Sequence, residues 1–438
     1  MSGLSNEAAT SGYAKELVPE SEQGSGWKIF FIVAGSLCGL PVFILSAHIF
    51  SSLGFVQGMA AVAVGGVISG LLGAMTAFTG SKSRMGLALL ADRAFGPWGA
   101  SLVKLVIAIS LIGWFGVNIG VLGVTAASAL TQMTGYNIAA LTVGLPVCLL
   151  IAGITLYGAS GLERLGNILV PATLLVLIAS LVLVAPQLGE VWSKQGSGAI
   201  SFGGAVSAVV GAYVVGIVIQ PDYGRFVRRP AFAAMGAGVA LGIAYPVIMT
   251  MSSVASLASG TPEFISAMIL LGFGLPALLV LLLGAWIDSS ACLYSASLSL
   301  ANQFPRFRFI TIIAAITVVG VVLVVVGADK AFIPFLIALS VSLPPLATIL
   351  VLSALLPQPS HPHAVHRAIP LVCWALATIF GLMTNYGYWS FSTLPTFDAV
   401  LISAVIFIML RVAVSFAPLR GRLREGAKSY AKPRTRFP

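Results

Sequence analysis

The chain reads as an all-α polytopic membrane protein, on three observations. Of its 438 residues, 58% are hydrophobic and only 8% are charged. Its mean hydropathy is +1.03, and a soluble domain could not bury that much apolar surface. The apolar residues fall in long runs separated by short polar stretches, the pattern of helices that satisfy their own backbone hydrogen bonds in lipid.

Twelve transmembrane spans follow in order: 27–52, 56–79, 98–128, 138–158, 166–188, 202–220, 232–258, 275–302, 308–327, 331–356, 369–387 and 397–417. The expected division is a tail at 1–26, a membrane domain at 27–417 and a basic tail at 418–438. Within the membrane domain, 27–188 and 202–356 form two halves and 369–417 adds two helices. Residues 1–26 hold no apolar core with a cleavage site, so the first run is a retained helix. Between spans seven and eight, Thr261 to Leu270 is expected to form a short helix on the outer face.

The basic residues set the orientation. Lys82, Arg84, Arg93, Arg164, Arg225, Arg228, Arg229, Arg306, Arg308 and Arg367 all fall on the side of the termini, as do Lys15, Lys28 and the tail from Arg411 to Arg436. The opposite side holds Lys194 and Lys330, and Lys104 lies within span three near its basic end. By the positive-inside rule both termini are cytoplasmic, in a multi-pass protein of the inner cell membrane. The net charge of +10 is then accounted for without nucleic acid, and the basic tail is expected to meet anionic lipid headgroups. Cys38, Cys148, Cys292 and Cys373 lie in apolar segments without paired spacing, so no disulfide framework or metal site is indicated.

Spans one and six carry helix-interrupting residues near their middles. Span one contains Gly35-Ser-Leu-Cys-Gly39-Leu-Pro41, and span six contains Gly211-Ala-Tyr213-Val-Val-Gly216. Proline removes a backbone donor, and glycine lets the backbone open. If the first ten spans form two five-helix halves, these two are equivalent, and paired broken helices point to a transporter site. Kinked helices with packing glycines are the plainer alternative.

Span eight bears Asp288 on a small polar face with Gly284, Ala291, Ser295, Ser299 and Asn302, recurring at spacings of three and four. A carboxylate there costs roughly 2.5–3.5 kcal/mol on insertion scales. A cation, a proton or a polar cavity would offset that cost, and so would a partner on a neighbouring helix. Span three holds Gly113-Trp114-Phe115-Gly116-Val117-Asn118, with Trp114 near mid-depth. Tryptophans prefer the interfaces, so Trp114 is either a stacking platform left open by its flanking glycines or a core residue. Asn118, one turn on, either reads a ligand edge or bridges two helices. Tyr213 and Trp114 together would sandwich a planar ring.

Asp222 and Arg225 form either a gating pair or a plain interfacial salt bridge. His361, His363 and His366 are too loosely spaced to read as a metal site. No catalytic constellation and no Walker motif is present, so neither an enzyme nor an ATP-driven pump is expected.

Gly113-Trp114-Phe115-Gly116-Val117, Asp222-Tyr-Gly-Arg225-Phe226, Trp286, Leu293-Tyr294, Ala301-Asn302, the Gly80–Ala94 loop and Phe95-Gly96 resemble the nucleobase:cation symporter family. The likeness is to its bacterial cytosine permease branch, and it runs over the whole chain. It implies a LeuT-type fold, five plus five inverted helices followed by two more, that carries nucleobases and related heterocycles, often with sodium. It further implies that Trp114 and Tyr213 wall the base, that Phe43 joins them, and that Ala212 and Ser289 stand at ligand-reading positions. A sodium site would use Gly39, Val42, Gly284, Ile287 and Asp288. Cytosine permeases carry hydroxyls where this chain has Ile287 and Asp288, and an asparagine at Ser289. They carry serines at Ala212 and Val215, and a glutamine at Leu111.

The expected function is a secondary active transporter that imports a nucleobase, cytosine or purine-like, by alternating access. Sodium or protons drive it, with no other cofactor, and a monomer is expected. Alternatives within the fold are a vitamin precursor such as hydroxymethylpyrimidine, hydantoin or allantoin, or an amino acid. A channel or receptor would need pore rings or a signalling domain, and neither is visible.

Overall fold

The structure, a computed structural model, describes residues 17–155, 162–261, 264–356 and 364–430. The helices in chain order are α1 (Trp27–Ser36), α2 (Leu40–Ser83), α3 (Leu87–Thr134), α4 (Ala140–Thr155), α5 (Leu162–Val184), α6 (Leu188–Ser193) and α7 (Phe202–Gly224). Then come α8 (Pro230–Val239), a π turn (Ala240–Ala244), α9 (Tyr245–Ser259), α10 (Phe264–Leu270), α11 (Gly274–Gln303), α12 (Phe309–Val326), α13 (Phe332–Leu355), α14 (Ala364–Asn385) and α15 (Pro395–Tyr430). Among the described residues the only sheet pairing is two isolated bridges, Gly24 with Val227 and Gly54 with Gln195. Ten helices among the described residues are long and apolar enough to cross a membrane, and the shorter Ala140–Thr155 is apolar as well.

Two of the longest helices are bent at glycine. Gly54 in α2 (φ 77, ψ 177) and Gly96 in α3 (φ 69, ψ 176) occupy backbone that strains any L side chain. At the first bend the loop after α6 closes on the chain. Gln195 pairs with Gly54, and the main-chain N–H groups of Ser197 and Gly198 donate to the carbonyls of Ser51 and Ser52 at 3.0 and 2.8 Å. The 80–94 stretch, read from sequence as a loop, is largely helical. Only Arg84 to Gly86 leave the helix, and the Asp222 carboxylate meets the first N–H of α3, at Leu87, at 2.9 Å. The Arg225 guanidinium and the Asp222 carboxylate both crowd the space at Gly86, and the Arg225 Nε also donates to the Asp222 main-chain carbonyl at 3.2 Å.

Small residues let the central helices approach. On α2, Gly66 faces Pro246 and Gly70 faces Gly242 of the π turn, with room for no Cβ at either. Helices α3, α7 and α13 are the most enclosed of the long helices, and α5 and α15 lie at the rim. α7 packs against both α2 and α13, and α11 packs against α3 and α5. This frame places α3, α7, α11 and the junction of α1 with α2 around one centre.

The sequence expectation fails at span six. α7 is one unbroken α-helix through Gly211–Gly216. An ideal Cβ at Gly211 would lie 1.9 Å from the Leu336 carbonyl, and one at Gly216 would lie 2.5 Å from the Tyr213 ring. These glycines admit a neighbouring backbone and a ring; they do not open the helix. α15 also runs past the expected end at 417 to Tyr430, through a stretch rich in the helix formers Leu, Arg, Glu and Ala. The side chains of the basic tail and of His361, His363, His366 and Asn302 lie outside the described residues, as do residues 1–16.

Candidate functional site

The expected break in span one is present. α1 ends at Ser36, Gly39 is extended (φ −82, ψ 152), and α2 starts at Leu40 with Pro41 in its first turn. Proline is tolerated there because a first-turn N–H has no partner within the helix. The break brings the Cys38 carbonyl against Gly284 of α11, and Gly39 lines a cavity of about 170 Å³.

Four elements line it: the α1–α2 junction, α3, α7 and α11. Trp114 and Leu111 come from α3, Ala212, Tyr213 and Val215 from α7, and Asp288, Ala291, Cys292 and Ser295 from α11. The last four recur at i, i+3, i+4 and i+7, so they are one helix face, close to the small polar face read from sequence. Asp288 is half-buried, and its Oδ2 accepts a hydrogen bond from Asn118 Nδ2 at 2.7 Å. Asn118 is 1% exposed, and its Oδ1 has no hydrogen-bond partner among the described residues. Tyr213 reaches across the cavity, its hydroxyl 2.9 Å from Ser36 Oγ.

Trp114 is buried. Its flanking glycines do not uncover its ring. Phe335 occupies the space at Gly113 and Leu323 that at Gly116. Phe335 and Phe332 meet the indole edge to face, at centroid distances of 5.6 and 6.3 Å. The ring therefore lines the cavity as a fixed wall.

Phe43 and Ser289 lie elsewhere. Leu40, Phe43 and Ile44 share a helix face opposite Pro41 and Val42, so Phe43 lines a second cavity of about 300 Å³ with His48, Asp329 and Lys330. Its ring packs on Phe264 at 5.2 Å. Phe332 lines this second cavity and also touches Trp114, so it stands between the two. Ser289 is fully buried one position round α11 from Asp288, off the cavity face, and its hydroxyl has no partner among the described residues. Of the cation-site positions, Gly39, Val42 and Asp288 line the cavity. Gly284 abuts the break, its ideal Cβ 3.1 Å from the Cys38 carbonyl, and Ile287 is not among the lining residues.

The first cavity faces the basic end of the molecule. Its outer lining includes exposed Ile32 and Ser36, and Tyr223, which leads into Arg225–Arg229. Sequence reasoning missed Ser36, Ile219, Tyr223 and Cys292, whose only signal is helical spacing from residues it did find. It also missed Gln220, fully buried with both amide atoms unpartnered among the described residues, and nothing in the structure explains that.

Residues 17–356 match the family described as permease for cytosine/purines, uracil, thiamine, allantoin. The cytosine permease of Escherichia coli (strain K12) is 25% identical over 354 residues, covering 80% of this chain and 82% of that protein. The fold is similar to the inward-facing conformation of Mhp1, with a TM-score of 0.77 and 18% identity over 91% of this chain and 93% of that one. It is also similar to Mhp1, a nucleobase-cation-symport-1 family transporter, in a closed conformation with bromovinylhydantoin bound. That TM-score is 0.71, with 17% identity over 92% and 95% of the two chains. A Na⁺-coupled sialic acid symporter follows at 0.59 and 11% identity, over 93% and 95%.

Proposed function

We propose that this chain, which belongs to the family of permeases for cytosine/purines, uracil, thiamine and allantoin, imports a nucleobase or a similarly flat heterocycle by alternating access. One observation carries the reading. Trp114 and Tyr213 face a single cavity from two helices, with Asp288 on its wall. Base–aromatic stacking is worth about 1–3 kcal/mol per contact, so two rings hold a planar solute with few hydrogen bonds. The cavity, at about 170 Å³, is smaller than the roughly 300–1,000 Å³ of drug-sized pockets, which suits one small ring.

The architecture proposed with it is twelve crossings, two inverted five-helix halves and two further helices, with both termini cytoplasmic. The bend at Gly54 supports this by dividing α2 into two apolar segments.

The coupling ion would be sodium or a proton. Span-one carbonyls at Gly39 and Val42, with groups at Gly284, Ile287 and the Asp288 carboxylate, would make an oxygen-only donor set, which suits sodium. Unwound carbonyls beside a cavity are the usual coupling-ion ligands in such transporters. The buried Ser289 hydroxyl, without a partner among the described residues, is a spare oxygen in the same region. Sodium bound there would supply the inward driving force. Asn118 would hold the Asp288 carboxylate toward the cavity, whether it ligates the ion or carries the proton.

Uptake into liposomes with sodium replaced by choline, across pH, tests the coupling. Sodium-independent uptake that collapses with the proton gradient removes the sodium version, and unchanged coupling in Asp288→Asn removes both. Trp114→Ala is expected to weaken substrate binding about five- to 150-fold, measured by titration calorimetry, and wild-type affinity would end the stacking proposal. A second reading keeps the carrier and changes the cargo. Leu111, Ala212 and Val215 make the wall beside the rings apolar, which favours a less polar heterocycle, such as a hydantoin or a pyrimidine vitamin precursor, over cytosine.

A further inference from the structure

A groove of about 330 Å³ lies at the basic end, away from the central cavity, between the start of α1 and α8. Main-chain hydrogen bonds build its inner side. Gly24 N donates to the Phe226 carbonyl at 2.7 Å, and Arg228 N donates to the Gly24 carbonyl at 3.1 Å. An ideal Cβ at Gly236 would lie 2.8 Å from the Gly26 carbonyl, so α1 and α8 meet backbone to backbone and the groove opens outward.

Its two ends differ in chemistry. Arg228 and Arg229, both exposed, form the lip, and the Arg229 guanidinium lies 5.6 Å over the Phe232 ring. Phe232, Met235 and Val239 recur at i, i+3 and i+7 and line the groove as one exposed apolar stripe. At 1.5 Å per residue that stripe is about 10 Å long and runs from the arginines into an apolar span. Trp27, also exposed, sits at the boundary, where amphipathic rings favour the headgroup level. The lining contains no Asp or Glu among the described residues.

We propose that this groove binds one anionic glycerophospholipid, its phosphate at Arg228 and Arg229 and an acyl chain along Phe232, Met235 and Val239. Two cations with no carboxylate in the described lining select a net negative headgroup over a zwitterionic one, and basic pockets between spanning helices are a known form of lipid site. The apolar stripe selects a lipid over free phosphate, which would meet only the lip. A lipid so held would touch both Trp27 at the start of α1 and the exposed stripe of α8.

The test titrates the purified full-length protein in dodecylmaltoside with dioleoylphosphatidylglycerol, dioleoylphosphatidylcholine or inorganic phosphate, following the thermal unfolding midpoint. Phosphatidylglycerol is expected to raise the midpoint saturably, and the other two to leave it unchanged. Removing each arginine should weaken the apparent affinity about five-fold, so Arg228→Gln with Arg229→Gln lowers it about 25-fold. Met235→Trp, which fills the groove without changing charge, should weaken it as well. A variant with Arg420, Arg422 and Arg424 changed to Gln should keep the wild-type response, which separates the groove from the basic tail. Full phosphatidylglycerol stabilisation in both groove variants, or equal stabilisation by phosphate alone, would overturn the proposal. Since the readout is not uptake, its failure leaves the transport reading standing.

Discussion

Two aspartates inside apolar helices look alike in the sequence and do opposite work in the structure. Asp288 faces the cavity, and one carboxylate oxygen is held by Asn118. Asp398, fully buried in the first turn of α15, is consumed by structure: its carboxylate accepts from the main-chain N–H groups of Phe391 and Ser392 at 2.9 and 3.0 Å and from the hydroxyls of Thr384 and Ser392 at 2.9 and 2.6 Å. Hydrogen bonds to a charged group are worth about 1.5–3 kcal/mol. Asn118→Leu, close in volume, is therefore expected to reduce uptake about ten-fold or more while the unfolding midpoint stays near wild type. Transport at the wild-type rate would show that Asp288 needs no positioning by the amide. Asp398→Asn should do the reverse, lowering stability by about 2 kcal/mol while leaving uptake per folded molecule intact. A loss of coupling in Asp398→Asn at full stability would contradict the division.

At the scale of elements, the sequence signalled one helix break well and one badly, for a physical reason. Gly39 and Pro41 together mark a true interruption: proline cannot donate within a helix and fits best in a first turn, and the extended backbone at Gly39 lets a new helix start just before it. Gly211 and Gly216 lack that second signal. A glycine in a membrane helix is as often a place where another chain comes close, and α13 comes close at Gly211. The same ambiguity misled the reading of Trp114, whose flanking glycines admit Phe335 and Leu323. Residues on the α3 and α11 cavity face were legible from helical spacing. Phe43 and Ser289 were not, since one step of about 100° round a helix moves a side chain off the site. Gly211→Ala tests the packing role. Its methyl would press on the Leu336 carbonyl, and the expected loss is about 1–3 kcal/mol of stability. An equally stable variant would mean that α7 and α13 are free to separate there.

For the whole molecule, two cavities lie toward opposite ends with Phe332 standing between them. The first reaches the end rich in arginine through exposed Ile32 and Ser36, and the second is lined by His48, Asp329 and Lys330 at the other end. On the orientation proposed above, with the basic end cytoplasmic, the first cavity opens inward, and an alternating carrier must be able to exchange that arrangement for the reverse. Ser36 and His48, one exposed on each side, report the exchange. In a background with Cys38, Cys148, Cys292 and Cys373 replaced, Ser36→Cys should react with a membrane-impermeant maleimide in inside-out vesicles and little in right-side-out ones. His48→Cys should show the opposite preference. Because Ser36 lies against Tyr213, bound substrate should slow its labelling by covering the same wall. Labelling of both positions from one side would refute the orientation, and labelling of Ser36→Cys indifferent to any transported heterocycle would separate this cavity from the transport path.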